Sequence, residues 1–257
     1  MIKDILSFVK TITVPLMVLD NIENITDPYS YGSGFLLEHN NRLFLFTAAH
    51  LLYEMNSKDP LDENVEGLNL FIDSKILKEG KSQLIAVPPM NSITSFEQLS
   101  HGPKSLFYDR LDFIFTEIPN HDISVHYIDE SNYDYEKDMV HIFSINMIEK
   151  FDTEQLYFTS GFINPVFNKD NQLERDSIIL SALKVINIFK SGEVLLKCNY
   201  EGVFPDVRGI SGAPIINKEG KLCGIVRNAD SENKTILAIP FSNILSLMTQ
   251  LAIFPTL

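Results

Sequence analysis

The chain has 257 residues, enough for one large domain or two small ones, with 45% hydrophobic and 21% charged residues. Its net charge of −13 argues against nucleic acid and anionic membrane surfaces as partners, because both repel it over a Debye length. A basic protein is the complementary case, although acidic surfaces chiefly confer solubility. Cys198 and Cys223, the two cysteines, are too few for the disulfide framework of a secreted enzyme and read as reduced thiols rather than one bridge. Asp4 and Lys10 interrupt the first ten residues, and no stretch is apolar for long enough to span a bilayer. The expected location is cytoplasmic.

In chain order, residues 2–10 space Ile2, Ile5, Leu6 and Val9 along one face of a short helix. Strand-like runs follow at 14–19, 34–38 and 42–47, the last two joined by Asn40-Asn41, a pair suited to a tight hairpin turn. Residues 48–55 have room for one or two helical turns. Short strands are expected at 68–72 and 83–87, the second stopped by Pro88-Pro89. The region 56–108 is polar in places and reads as loops and an insertion. A strand resumes at 111–118 and ends at Pro119, and the tyrosine-rich 131–138 reads as a connector. Further strands are expected at 139–144, 155–162, 177–182, 193–200, 213–217, 221–227 and 235–239. Ser242 is placed to cap a helix whose apolar face is Ile244, Leu245, Leu247, Met248 and Leu251. Many short strands with turn signals and one terminal helix predict an all-β barrel or sandwich.

Two motifs carry chemistry. Gly209-Ile210-Ser211-Gly212-Ala213-Pro214 sets a serine on a glycine-flanked turn, where the backbone bends without a Cβ in the way. In such a turn the N–H groups of Gly209 and Ser211 can converge on one point, as an oxyanion hole requires. Thr47-Ala48-Ala49-His50 ends a strand-like run with an imidazole, a base candidate on a rigid element. Asp112 leads the apolar run Phe113-Ile114-Phe115 and is expected to be partly buried. A buried carboxylate needs a partner, and an imidazole N–H supplies one. Singly, each residue type has a commoner structural role in turns and strand ends. Together, in the order His, Asp, Ser, they read as base, orienting acid and nucleophile of acyl transfer. His121, His126 and His141, with Asp122 and Asp129, lack the tight spacing of metal ligands. Cys198 and Cys223 lack Cys-x-x-Cys spacing, and Cys223 lies in an apolar run.

At these motifs the chain resembles the trypsin/chymotrypsin-like serine proteases, particularly compact bacterial members of the HtrA type. Gly32-Ser33-Gly34-Phe35-Leu36-Leu37 is similar to the strand leading toward the histidine, and Leu111-Asp112-Phe113-Ile114-Phe115 to the aspartate motif. The serine motif and Gly220-Lys221-Leu222-Cys223-Gly224-Ile225-Val226 are similar to the family's nucleophile loop and following hairpin. The resemblance runs over residues 13–253 and is faint over 56–108 and 120–192. It implies an all-β fold of two antiparallel six-stranded β-barrels with a C-terminal α-helix, here with the short N-terminal helix added. Residues 1–120 would form the first barrel, carrying His50, Asp112 and the 56–108 insertion. Residues 121–138 would connect it to a second barrel at 139–257, carrying Ser211 and the terminal helix.

The resemblance also implies an endopeptidase acting on a protein or peptide substrate through His50, Asp112 and Ser211, with Gly209 and Ser211 amides as oxyanion hole and neither metal nor organic cofactor. Arg227-Asn228-Ala229 would be the strand that hydrogen-bonds an extended substrate. Pro205 stands where trypsin-like members carry the acid of their specificity pocket. Asp206, one place later, is a substrate-binding candidate, with a solvent-facing loop carboxylate as its alternative. Ile210 stands where digestive members carry the acid that pairs with a newly cut N-terminus, so that switch is missing. A cytoplasmic protease without it needs restraint, by narrow specificity or by an activating partner protein. The competing expectation is a silent or latent binding module of the same fold.

Overall fold

The computed structural model describes residues 5–19, 28–52, 69–78, 81–86, 112–118, 140–167, 173–199 and 206–250. Most of the expected insertion at 56–108, the connector, Pro205 and Leu251 lie outside them. The first sheet is built from β1 (Val14–Leu19), β2 (Ser30–His39), β3 (Arg42–Thr47), β4 (Asn69–Lys78), β5 (Lys81–Ala86) and β6 (Ile114–Ile118), in the order β5-β4-β1-β2-β3-β6. A short β7 (Ile142–Ser144) adds to β2 in parallel. This lobe is a half-barrel among the described residues. The second lobe is a closed barrel of β8 (Leu156–Phe167), β9 (Leu173–Ile188), β10 (Val194–Lys197), β11 (Pro214–Asn217), β12 (Leu222–Asp230) and β13 (Thr235–Pro240), in the order β10-β13-β12-β11-β8-β9. With α1 (Ile5–Lys10) and a C-terminal α2 (Phe241–Gln250), the molecule has the chymotrypsin-like all-β fold.

The apolar runs at β1, β2, β3 and β6 are nearly continuous because these strands are buried on both faces. Side chains alternate across a strand, and here the alternation feeds two cores. Leu36, Leu43, Leu45 and Ile114 enter the half-barrel with Val14 and Leu16. Phe35, Phe44, Phe46 and Phe115 face the other way, into a core shared with Phe241, Ile244 and Met248 of α2. Phe241 packs edge-on against Phe46 (5.1 Å between centroids) and Phe35 (5.7 Å). A third core, including Tyr157, Leu183, Val194, Leu196, Ile215 and Val226, fills the closed barrel.

Local chemistry fixes the turns. Asn40 and Asn41 both have positive φ, 52° and 59°, as a two-residue type I′ hairpin demands, and asparagine tolerates this region better than other side chains. The terminal helix begins one residue earlier than its sequence signal suggests. Phe241 is already helical, so Ser242 lies inside the first turn instead of capping it; burial of the Phe241 ring outweighs the capping preference. Asp112 and Phe113, expected as strand, precede β6, which starts at Ile114; Leu111 lies outside the described residues. Cys198 and Cys223 are buried, reduced thiols. Burial, with the nearby Glu149 charge, pushes the Cys223 thiol up to about 12, so it stays protonated and inert near neutrality. No helix among the described residues is long and apolar enough to cross a membrane.

Candidate active site

His50 sits in a 3₁₀ turn, Ala49–Leu51, that follows β3 directly. Asp112 stands just before β6, and β6 pairs with β3 so that Ile114 lies opposite Thr47. That register delivers the carboxylate to the imidazole. Asp112 grips His50 at two points: Oδ1 accepts the His50 backbone N–H at 2.9 Å, and Oδ2 accepts Nδ1–H at 2.7 Å. The Asp112 side chain is 10% exposed and that of His50 20%. Burial alone would push the Asp112 carboxyl up. Hydrogen bonds and charge from His50, with the Arg227 charge beside them, more than offset this and hold it below the usual carboxylate range. An ionised Asp112 fixes the neutral imidazole with its proton on Nδ1, leaving Nε2 as the acceptor.

Ser211 comes from the second lobe, in the loop before β11, and that loop is seated on the first lobe. Ser33 of β2 is the hub. Its N–H donates to the Ser211 carbonyl at 2.9 Å and its hydroxyl to the Gly209 carbonyl at 2.8 Å. The same hydroxyl accepts the Phe162 N–H at 3.0 Å. Gly209 (φ 100°) and Gly212 (φ 86°) occupy the region that favours glycine. A Cβ on Gly212 would lie 2.1 Å from the Ser33 carbonyl oxygen and 2.3 Å from Thr47 Oγ1. The loop therefore presses backbone to backbone against β2 and β3, next to the turn that carries His50.

Two details bear on chemistry. Among the described residues the N–H groups of Gly209 and Ser211 have no acceptor, whereas the neighbouring Ile210, Gly212 and Ala213 N–H groups are all bonded. The Ser211 hydroxyl donates weakly, at 3.5 Å, to the Arg227 carbonyl, and it has no hydrogen bond to His50.

The remaining sequence candidates divide. Arg227, Asn228 and Ala229 lie on β12, where the pairing with β13 shifts between Val226 and Asn228 and leaves Arg227 as the bulged residue. The Arg227 side chain, which the sequence reading passed over for its backbone, turns toward Asp112 with Nε 3.6 Å from Oδ2 and pairs with Glu193. Asp206 is held instead by Arg208, in an exposed pair at 2.6 Å. Ser33 and Glu193 were missed altogether. A polar residue between two glycines in an apolar strand was the available signal for Ser33; Glu193 gave none. His141 is packed between the rings of Phe8 and Phe143, at 4.7 and 5.1 Å. Among the described residues no cluster of His, Cys, Asp and Glu could hold a metal ion.

Solved structures of similar fold include a serine endoprotease from Yersinia pestis, with TM-score 0.51 and 10% identity over 98% of this chain and 67% of that one. Human heparin binding protein aligns with TM-score 0.54 and 10% identity over 94% of this chain and 92% of the other. No protein-family model and no curated protein sequence matches the chain. The neighbours are of the trypsin/chymotrypsin serine-protease fold. One is a protease and the other is named for what it binds, so the fold alone does not define an activity.

Proposed function

We propose that the chain is a serine endopeptidase that cleaves a protein substrate through Ser211, His50 and Asp112. The observation that carries this reading is the two-point grip of Asp112 on His50, which leaves Nε2 as a base on the lobe against which the Ser211 loop is seated. In the proposed reaction Ser211 Oγ bonds to the scissile carbonyl carbon while its proton passes to His50 Nε2. The Gly209 and Ser211 amides receive the oxyanion. The C–N bond then breaks, His50 returns the proton to the leaving amine, and water releases the acyl group by the same steps. Arg227 to Ala229 would pair with the extended substrate backbone. The kinship to HtrA-type proteases belongs to this proposal as well.

The 3.5 Å bond from the Ser211 hydroxyl to the Arg227 carbonyl favours a second form of the reading, a latent protease whose serine engages His50 only when substrate or an activating partner binds. Catalytic hydrogen bonds are often long or misaligned without substrate. A proteome-wide comparison of cleavage products from wild type and Ser211→Ala tests both forms. New termini that depend on Ser211 and share a residue preference before the cut are expected. Identical termini from both proteins, with an added extract as source of activator, would leave the binding-module reading standing.

A further inference from the structure

Arg227 touches the proposed triad at both ends. Its carbonyl accepts the Ser211 hydroxyl, and its guanidinium lies 3.6 Å from Asp112 Oδ2, the oxygen that takes His50 Nδ1–H. The side chain reaches Asp112 because Arg227 is the bulged residue of β12, and a bulge re-aims the side chain it carries. A second carboxylate holds the other side of the guanidinium: Glu193 Oε1 pairs with Arg227 Nη1, and Glu193 Oε2 accepts the Ser191 hydroxyl at 3.1 Å. Glu193 is fixed in turn by the loop between β9 and β10, where Phe189 N–H donates to the Glu193 carbonyl at 2.8 Å. The Arg227 side chain is 29% exposed and Glu193 16%, so solvent screens this cluster only partly.

We propose that Arg227 is a positioning residue that sets the protonation equilibrium of His50 through Asp112, and that Glu193 sets how much of the Arg227 charge Asp112 meets. The inference rests on the protease reading of the same site and deepens it. Among the described residues the charged and titratable groups of the cluster are His50 from the turn after β3, Asp112 ahead of β6, Arg227 from β12 and Glu193 ahead of β10. Asp112 stabilises a protonated imidazole; a cation on the same oxygen opposes that protonation, and an anion behind the cation partly cancels it. Arg227 and Glu193 therefore act on His50 with opposite signs. A purely structural ion pair would be lost in the same way from either end.

The test follows the His50 ring signals by NMR against pH in the full chain carrying Ser211→Ala, so that it needs no activity. Removing the cation in Arg227→Ser is expected to move the His50 midpoint to higher pH. Arg227→Lys should retain most of the wild-type midpoint. Glu193→Gln should move it to lower pH, and combining Glu193→Gln with Arg227→Ser should remove most of the downward effect. Midpoints unchanged in Arg227→Ser and Glu193→Gln, or displaced in the same direction, overturn the proposal; the second variant and the lysine substitution decide it if Arg227→Ser does not fold. A protein whose Ser211 never reacts with an active-site probe would remove the protease reading while leaving these NMR outcomes to be read as they stand.

Discussion

Asp112 concentrates the physics of the site in one side chain. Both of its oxygens are acceptors for His50 donors, so an amide in its place would point a donor at a donor on one side. Asp112→Asn should therefore force the wrong imidazole tautomer or release the ring, and reaction of Ser211 with an active-site probe should slow by about 10⁴. The same carboxylate predicts a pH effect. Its folded value lies below the unfolded one, so at low pH the unfolded chain takes up the proton first. The stabilisation is complete above the unfolded value, near pH 4, and is lost as pH falls through the lower folded value. Chemical denaturation against pH should show this loss in wild type and a flatter acid limb in Asp112→Asn. The pairing of His50 with Asp112 was legible in the sequence because Asp112 leads an apolar run and His50 ends one. The Arg227 side chain was not legible, since its direction depends on a bulge that no local pattern marks.

At the scale of elements, the serine loop depends on conformations that only glycine holds easily. Gly212 has φ 86° and no space for a Cβ, the nearest obstacles being backbone oxygen of β2 and a buried threonine hydroxyl. Gly212→Ala should cost about 2 kcal/mol or more of unfolding free energy, read from denaturation midpoints. A much smaller cost would mean that the loop is not seated as described. Turn chemistry and apolar runs identified most strand cores: β1 and β3 have the expected bounds, and Asn40-Asn41 makes the expected hairpin. Strand lengths were less legible. β8 continues to Phe167 and β9 starts at Leu173, with Ile163 paired to Asp176 and Val166 to Glu174. Pro165 in β8 and the charged run Glu174-Arg175-Asp176 in β9 interrupt the apolar alternation there, so these extensions leave no periodic signature. Ser242 shows the converse, a local capping signal overruled by the packing of Phe241.

Across the whole molecule, the two lobes are joined by small buried hydroxyls as well as by the phenylalanine core. Thr13 Oγ1 donates to the Ser160 carbonyl at 2.8 Å, and Ser160 Oγ donates to the Val9 carbonyl at 2.5 Å. Ser33 ties the Ser211 loop and Phe162 of β8 to β2. Ser33→Ala would leave the buried Phe162 N–H without that acceptor, at a cost of about 1–3 kcal/mol. Its effect on Ser211 reactivity should exceed what global stability explains, because the same hydroxyl fixes Gly209, a donor of the proposed oxyanion hole. Probe-reaction rates measured well below the unfolding midpoint separate the two effects; an unchanged rate would show that the seam only stabilises. Contacts of this kind join residues more than a hundred positions apart, beyond the reach of any spacing rule. Whether Ser211 is an activated nucleophile is tested most directly by peptide mapping with mass spectrometry after prolonged incubation with a fluorophosphonate probe at mildly alkaline pH. A single phosphonyl adduct on Ser211 is expected, absent from Ser211→Ala and strongly reduced in His50→Ala. A folded wild-type protein that carries no adduct at Ser211, with and without added cell extract, would contradict an activated Ser211.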